Sequence, residues 1–544
     1  MVLRGGGLVY RGLLALCLIL AGCAARTDRT DPVVHQLQQS LQPQLQKQQP
    51  LRVDVRNMPK AVAEFYAARD WAPVWDDARF AELLDEIGKV AADGLEPEDY
   101  GYSSLKQYQT VGADPALLAE RERLATRSYL LALLHLYRGK VDPVQLDVHW
   151  NFSKRPLDPE QGLTLAREAV EQDRIHEIFQ RVRPAFQQYV AAREALADLR
   201  DIASHGGWPL IPAGPLLKPG MQDARVPLLR RRLELAGLLV HARAAQPALY
   251  DAGLVQAVQR FQLESYIDAD GVLGAGSLRE LNIPVEQRIG QLRANLERMR
   301  WYLSQHKDDF VLVDIAGYRI YYMHDNKPLW TSRVQIGKAY RQTPVFTSEI
   351  NTVTLNPTWT VPSTILREDS LPAIKRSVTY LSKNHIRVLD ANGKELDPTT
   401  VDWNNPGKIS LRQDAGPENS LGQLMIRFPN SYSVYMHDTP HQDLFSSRQR
   451  AFSSGCIRVQ NVRELAVILL DDPQNWSRAQ LDAALDTNKT RSVTIPHKVP
   501  VLIAYWTVNV SEDGYVSFKP DIYGQDAMIL KGLEEKSGAG PGGI

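Results

Sequence analysis

Phe310-Val311-Leu312-Val313-Asp314-Ile315-Ala316-Gly317-Tyr318-Arg319-Ile320-Tyr321-Tyr322 reads as two short strands about a tight turn. Its β-branched and aromatic residues favour a pleated, half-buried surface, and Ala316-Gly317 supplies the hairpin. Between about 55 and 205 the pattern is helical; from about 308 onward the period drops to that of strands. Further β segments follow at Thr331–Ile336, Ile350–Leu355 and Leu424–Phe428, and Val434-Tyr435-Met436 runs straight into His437. Short strands separated by turns predict a β-sandwich-like, antiparallel domain over 308–490. A polar stretch at 367–412, punctuated by Arg367, Lys375, Arg376, Lys383 and Lys394, reads as an insertion over one face of that domain. Residues 491–535 read as a C-terminal β segment and 536–544 as a flexible tail.

Working back from this domain, 286–307 continues a helix whose apolar positions are Val285, Ile289, Leu292, Leu296 and Met299. Residues 206–285 predict three short helices. Val226, Leu229, Leu233 and Leu238 form one apolar stripe, Leu254, Val258 and Phe261 another, and Asp270-Gly271 marks a turn. Residues 51–205 are helical and read as scaffold; Asp114-Pro115 starts one helix and Gly139 stops it. Residues 23–50 carry eight Gln between Gln36 and Gln49 and read as a solvated tether, although Leu37, Leu41 and Leu45 share a helical spacing. The fold class is therefore multi-domain α+β.

The chain has 544 residues, 63 Lys+Arg against 63 Asp+Glu, and is 44% hydrophobic. That balance excludes a disordered polyelectrolyte and gives no basic excess for nucleic acid. Three Cys cannot build a disulfide scaffold, and their positions separate their roles. Arg4 and Arg11 precede the apolar run Leu13–Leu20, which is too short to span a bilayer and reads as a signal peptide over 1–22. Cleavage there removes Cys17 and two Arg, leaving 61 basic and 63 acidic residues. Cys23 follows Leu20-Ala21-Gly22, and Cys456 remains as the one thiol without a partner in an oxidising compartment.

Cys456 follows Ser453-Ser454-Gly455 in a polar turn and precedes Ile457-Arg458-Val459. Asn461-Val462-Arg463-Glu464 reads as an N-cap with Glu at N3, so the thiol is expected near a helix N-terminus. That field and the Arg458 cation both favour thiolate. Gly455 lets backbone approach a substrate, and the amides around Ser454 to Cys456 can converge on an oxyanion. A thiol nucleophile needs a base and later an acid; His437, 19 residues upstream at a strand end, can serve as both. His441 follows His437 by four residues, but Asp438-Thr439-Pro440 breaks any helix that would align them, and no metal site is expected.

His437 followed by Ser454-Gly455-Cys456-Ile457-Arg458 on a β-rich domain resembles the YkuD-type L,D-transpeptidase catalytic domain, whose motif is His…Ser-X-Gly-Cys-X-Arg. Five phrases in order, FYAARDWAPVW at 65–75, GGWPLIPAGP at 206–215, NPTWTVP at 356–362, MHDTP at 436–440 and AFSSGCIRV at 451–459, resemble the large multi-domain YcbB-like branch. AVQRFQ…DADGVLGAGSLRELN is similar to a three-helix peptidoglycan-binding module, and Leu20-Ala21-Gly22-Cys23 to a lipobox. The resemblance implies Cys456 as nucleophile and His437 as general base and acid. It puts Ser454, Gly455 and the Cys456 amide at the oxyanion positions, Tyr435 and Trp359 in the donor-site wall, and Arg458 as a residue that structures the loop. It makes 367–412 a capping subdomain. Ser454 departs from the commoner His, so a second imidazole is not implied.

The activity implied is attack on the bond between diaminopimelate and D-Ala of a tetrapeptide donor stem. D-Ala leaves, and a diaminopimelate amine of an acceptor stem resolves the thioester as a 3→3 cross-link. No cofactor or metal is implied, and carbapenem-type β-lactams are implied covalent inhibitors. The lipobox implies diacylation of Cys23 and a lipid anchor in the periplasm of a Gram-negative bacterium; Ala24 favours the outer membrane. The alternatives at this stage are a non-catalytic peptidoglycan-tethering lipoprotein, or the same acyl-enzyme resolved by water, D-amino acids or a lipoprotein amine.

Overall fold

Among the described residues, helices predominate as far as Tyr302, with one two-residue strand at Trp150–Asn151, and strands take over at Phe310. The computed structural model describes residues 31–46, 57–146, 150–151, 155–240, 246–302, 309–325, 327–511 and 513–536. The expected signal segment, Cys23 and the tail from 537 lie outside the described residues.

The longest helix, Pro115–Arg138, starts where Asp114 accepts the Ala116 N–H at 2.9 Å and Pro115 occupies the first turn. It stops at Gly139, whose φ is +82° and where a Cβ would sit 2.6 Å from the Glu297 carboxylate. The tether expectation fails for Pro32–Leu45, which is a helix capped by Asp31. Val33, Val34, Leu37 and Leu41 are buried on it, and all but Val34 belong to the main core. One apolar stripe is enough for the helical domain to capture the segment, and the Gln side chains cover its other face.

Helices Val226–Leu235, Ala252–Glu264 and Ala275–Leu281 surround a separate core that includes Val226, Leu229, Leu233, Leu254, Val258 and Phe261. Gln262, 1% exposed, holds the following turn: it accepts the Gly271 N–H at 2.9 Å and donates to Asp270 at 2.9 Å. Helix Val285–Tyr302 then runs between the helical domain and the C-terminal segment. Its Arg300 reaches the Asp93 carbonyl at 2.8 Å, and its Gln291 reaches the Thr507 carbonyl at 2.7 Å.

The β domain differs from the antiparallel sandwich expected. Strands Val345–Leu355, Leu424–Arg427, Met436–His437, Ile457–Val459, Lys327–Gly337, Arg319–His324, Phe310–Asp314 and Arg491–Ala504 pair in that order, and the last pairs back with the first. The pairings close a ring, and two of them, Met436–His437 with Ile457–Val459 and Phe310–Asp314 with Arg491–Ala504, are parallel. Arg491–Ala504 thus belongs to the catalytic sheet and not to a separate C-terminal segment. It carries two prolines, and a register shift falls between Thr494 and Val499. The segment after it forms the hairpin Val508–Val510 with Val516–Phe518 and a helix, Gln525–Glu534, not a run of strands.

The inserted unit is wider than 367–412. Strands Trp359–Thr360, Ser410–Gln413, Ile386–Leu389 and Glu395–Leu396 form a second sheet, with its own core of Val361, Ile374, Leu381, Val388, Trp403 and Leu411. It begins at Trp359, inside a proline-flanked stretch with no strand periodicity of its own.

Candidate active site

Two short parallel strands set the geometry. Met436 stands opposite Ile457 and His437 opposite Arg458. One position earlier Tyr435 lies beside Cys456, its carbonyl accepting the Ile457 N–H at 3.1 Å. Side chains alternate across a sheet, so the wholly buried Met436 and Ile457 enter the core while Tyr435, His437, Cys456 and Arg458 share the opposite face. Four residues expected to act together are brought together by register. They line a cleft of about 1100 Å³, which also receives Trp359 and Ile365 from the inserted unit and Trp150 from the helical domain.

The thiol is half-buried, with its sulfur 3.8 Å from the Ser433 carbonyl. Burial pushes its pKa up; donors from the Tyr435 backbone and hydroxyl, and the Arg458 charge, pull less strongly the other way. Thiolate is therefore not the resting form, contrary to expectation. The helix-end argument also fails: strand Ile457–Val459 intervenes, and Asn461 has a left-handed φ of +55° and makes no side-chain cap.

His437 is 4% exposed, and burial, followed by the Arg458 charge, lowers its pKa to about 3. Nδ1 lies 2.5 Å from the Asp438 carbonyl. A carbonyl can only accept, so the proton sits on Nδ1; the Leu421 carbonyl is a second backbone acceptor beside the ring. The adjacent carboxylate, which a Ser-His-Asp analogy would invoke, instead accepts the Gln423 N–H at 3.1 Å. At neutral pH the pair is thiol and neutral imidazole.

Gly455 has φ +114°, which only glycine adopts readily, and its N–H donates to Ser453 Oγ at 3.1 Å. The Gly455 amide therefore faces inward, while the Cys456 N–H makes no hydrogen bond among the described residues and stays available to an oxyanion. Ser453 also donates to the Cys456 carbonyl at 2.6 Å, so it is Ser453, not Ser454, that braces the turn. Ser454 is exposed and accepts from Arg341 Nη1 at 3.0 Å. Arg458 donates to Gln335 at 3.1 Å. Trp359 and Tyr435 line the cleft beside the thiol, and the Tyr435 hydroxyl favours its ionised form. Cys23 lies outside the described residues.

Sequence reasoning missed Thr343, Trp150 and Arg341. Thr343 accepts the Gly337 N–H and donates to the Gly455 carbonyl, each at 2.9 Å, and so pins the turn that carries Cys456. Trp150 arrives on a two-residue strand that joins the catalytic sheet beside Val345. The polar loop IGKAYRQTP (336–344) sits next to strands but carries no pattern of its own, and the close approach of the Arg341 carbonyl to Gly337 shows only in the structure.

Residues 60–196 match the family described as a scaffold domain, and residues 308–489 match the YkuD family, described as the L,D-transpeptidase catalytic domain. The chain is 36% identical over 248 residues to the "Putative L,D-transpeptidase" of Haemophilus influenzae, covering 45% of this chain and 50% of that protein. It spans about half the length of the curated relative it matches. Among solved structures, the L,D-transpeptidase from Mycobacterium smegmatis is 15% identical, covering 36% of this chain and 58% of its own, with a TM-score of 0.18. The L,D-transpeptidase (residues 123–326) from Xylanimonas cellulosilytica is 14% identical, covering 54% of this chain and 99% of its own, with a TM-score of 0.16.

Proposed function

We propose that this chain, whose residues 308–489 match the YkuD L,D-transpeptidase catalytic domain, is a cysteine acyltransferase that forms 3→3 cross-links between peptidoglycan stem peptides. The observation that carries the reading is the parallel register that sets Tyr435 and His437 beside Cys456 and Arg458 on one face of the sheet.

The Cys456 thiol gives its proton to His437 Nε2 as sulfur attacks the carbonyl carbon between diaminopimelate and the terminal D-Ala. The developing oxyanion takes the free Cys456 N–H, a donor of the kind worth about 3 kcal/mol when removed. Collapse breaks the C–N bond, His437 returns the proton to the leaving amine, and D-Ala departs from a thioester. The diaminopimelate amine of a second stem then loses a proton to His437 and attacks the thioester. The new amide forms, and the sulfur leaves and recovers the proton. Starting from neutral thiol and neutral imidazole suits this cycle, since each step moves one proton to or from His437.

The three-helix unit at 206–285 fits a wall-binding role and the inserted unit at 359–413 a cap over the donor. Cys23 is the proposed lipid anchor, holding the enzyme at the periplasmic face of the outer membrane. Incubation of the purified enzyme with tetrapeptide stems, followed by muropeptide analysis, tests the reaction. Dimers with release of D-Ala, lost in Cys456→Ser, are expected; tripeptide monomers alone would mean that water resolves the acyl-enzyme. A carbapenem adduct seen by intact mass on the wild type, and absent from Cys456→Ser, tests the nucleophile.

A further inference from the structure

Arg341 lies in the loop that follows strand Lys327–Gly337 and is the point where the inserted unit meets the nucleophile turn. Its Nη1 donates to Ser454 Oγ at 3.0 Å, two residues before Cys456. Its Nη2 donates to Glu368 at 2.9 Å and to Asp369 at 3.1 Å, and Nη1 also pairs with Asp369. Both carboxylates belong to the inserted unit. They emerge from Leu366–Ser370, a single wide turn of π type between helices Ser363–Ile365 and Leu371–Arg376. Such turns interrupt regular helices chiefly at functional places, and here the turn brings two adjacent acids to one guanidinium. The Arg341 side chain is 12% exposed while its partners are 45% and 49% exposed, so the cation is fixed on the catalytic side and the acids are the side that can leave. Both terminal nitrogens are engaged without any substrate, and only the buried Nε is left without a hydrogen-bond partner among the described residues.

We propose that Arg341 is a positioning residue that locks the Ser363–Arg376 arm of the inserted unit onto the nucleophile turn, coupling closure of the cleft to the setting of Cys456. Bidentate pairing gives the lock a defined geometry that a lysine cannot reproduce. Half-exposed acids make it weak enough to open for each substrate and sensitive to salt. The catalytic consequence rests on the acyl-transfer reading above; the coupling itself does not.

The test uses the full chain as wild type, Arg341→Gln, Arg341→Lys and the double variant Glu368→Gln/Asp369→Asn. Amide hydrogen exchange over 363–376 reads the arm. Alkylation of Cys456 by a bulky maleimide relative to iodoacetamide reads the cleft, and turnover of a tetrapeptide reads catalysis. Arg341→Gln and the double variant are each expected to raise exchange about ten-fold, which corresponds to a loss of about 1.4 kcal/mol. Both should favour the maleimide and lower kcat with little change in KM. Arg341→Lys should recover part of each effect, and 0.5 M salt should move the wild type the same way. Unchanged exchange in either variant overturns the coupling. A KM that rises in Arg341→Gln but falls in the double variant also overturns it, because Arg341 would then be a receptor for a substrate carboxylate. If no tetrapeptide is turned over by the wild type, the acyl-transfer reading fails, and exchange and alkylation still decide the coupling.

Discussion

Arg458 stands directly opposite His437 across the parallel strand pair, and Gln335 fixes its guanidinium at 3.1 Å. Burial first, and then this cation, hold the imidazole neutral down to about pH 3. The base should therefore stay competent as pH falls through the ordinary histidine range, and the acid limb of kcat/KM should lie well below 6.5. Removing the cation relieves part of the penalty on imidazolium, so Arg458→Gln is expected to move that limb upward by about one unit. A wild-type acid limb at pH 6–7 would contradict this electrostatic picture.

Cys456 titrates in the opposite sense. Burial raises its pKa and outweighs the donors and the Arg458 charge that favour thiolate. Since the thiolate is the reactive form, alkylation by iodoacetamide should be slower at pH 7 than for an exposed cysteine and should still be climbing above pH 9. Tyr435→Phe removes a hydroxyl that helps the thiolate, so it should slow alkylation further. A plateau reached by pH 8 would indicate a preformed thiolate–imidazolium pair.

Gly455 holds φ +114° with its N–H on Ser453 and its carbonyl on Thr343. An alanine Cβ there has room, its nearest neighbour being the Gln342 carbonyl at 3.4 Å, so the cost of Gly455→Ala is conformational. Strain of about 1–3 kcal/mol is expected, and the turn should relax toward negative φ and carry the Cys456 N–H away from the oxyanion. The acylation rate by a carbapenem should fall about 100-fold while folding is retained. Wild-type rates in Gly455→Ala would show that the turn's backbone does not set the oxyanion contact.

Cys456 and His437 could be singled out as candidates because their context is local: a Cys after Ser-Ser-Gly and a His closing a β run each carry their own signal. The strand pairing that makes them neighbours was not legible, since periodicity reports a strand and not its partner. Arg491–Ala504 reads as a β segment, but nothing in its pattern shows that it pairs with Phe310–Asp314 and Val345–Leu355 to close the ring. Arg341 and Thr343 were invisible for another reason. Their roles depend on Glu368 and Asp369 of the inserted unit and on Gly455, all distant in sequence and brought near only by the tertiary fold. The Asn461 cap failed because Ser/Thr/Asn followed three residues later by Glu is a short pattern, and here a left-handed Asn continues a turn.

Helix Val285–Tyr302 holds a wholly buried ion pair, with Arg300 Nη2 on Glu297 at 2.5 Å and both side chains fully buried. Glu297 also accepts the Val141 N–H at 2.7 Å, and Arg300 reaches Tyr189 at 2.9 Å, so one pair ties three segments of the helical domain to the connecting helix. Although burial opposes the charge, Tyr189, Glu297 and Asp93 together keep Arg300 protonated. Glu297→Gln preserves shape but strands that charge, at a cost of about 3–5 kcal/mol. Removing both charges with Glu297→Gln/Arg300→Met should recover part of the loss, because an apolar replacement abolishes the desolvation cost that a lone Arg300 keeps. Urea denaturation followed by tryptophan fluorescence, with Trp150 and Trp301 packed together at 5.7 Å as the local reporters, measures both variants. A double variant less stable than Glu297→Gln would show that the Arg300 contacts to Tyr189 and the Asp93 carbonyl outweigh its charge burden.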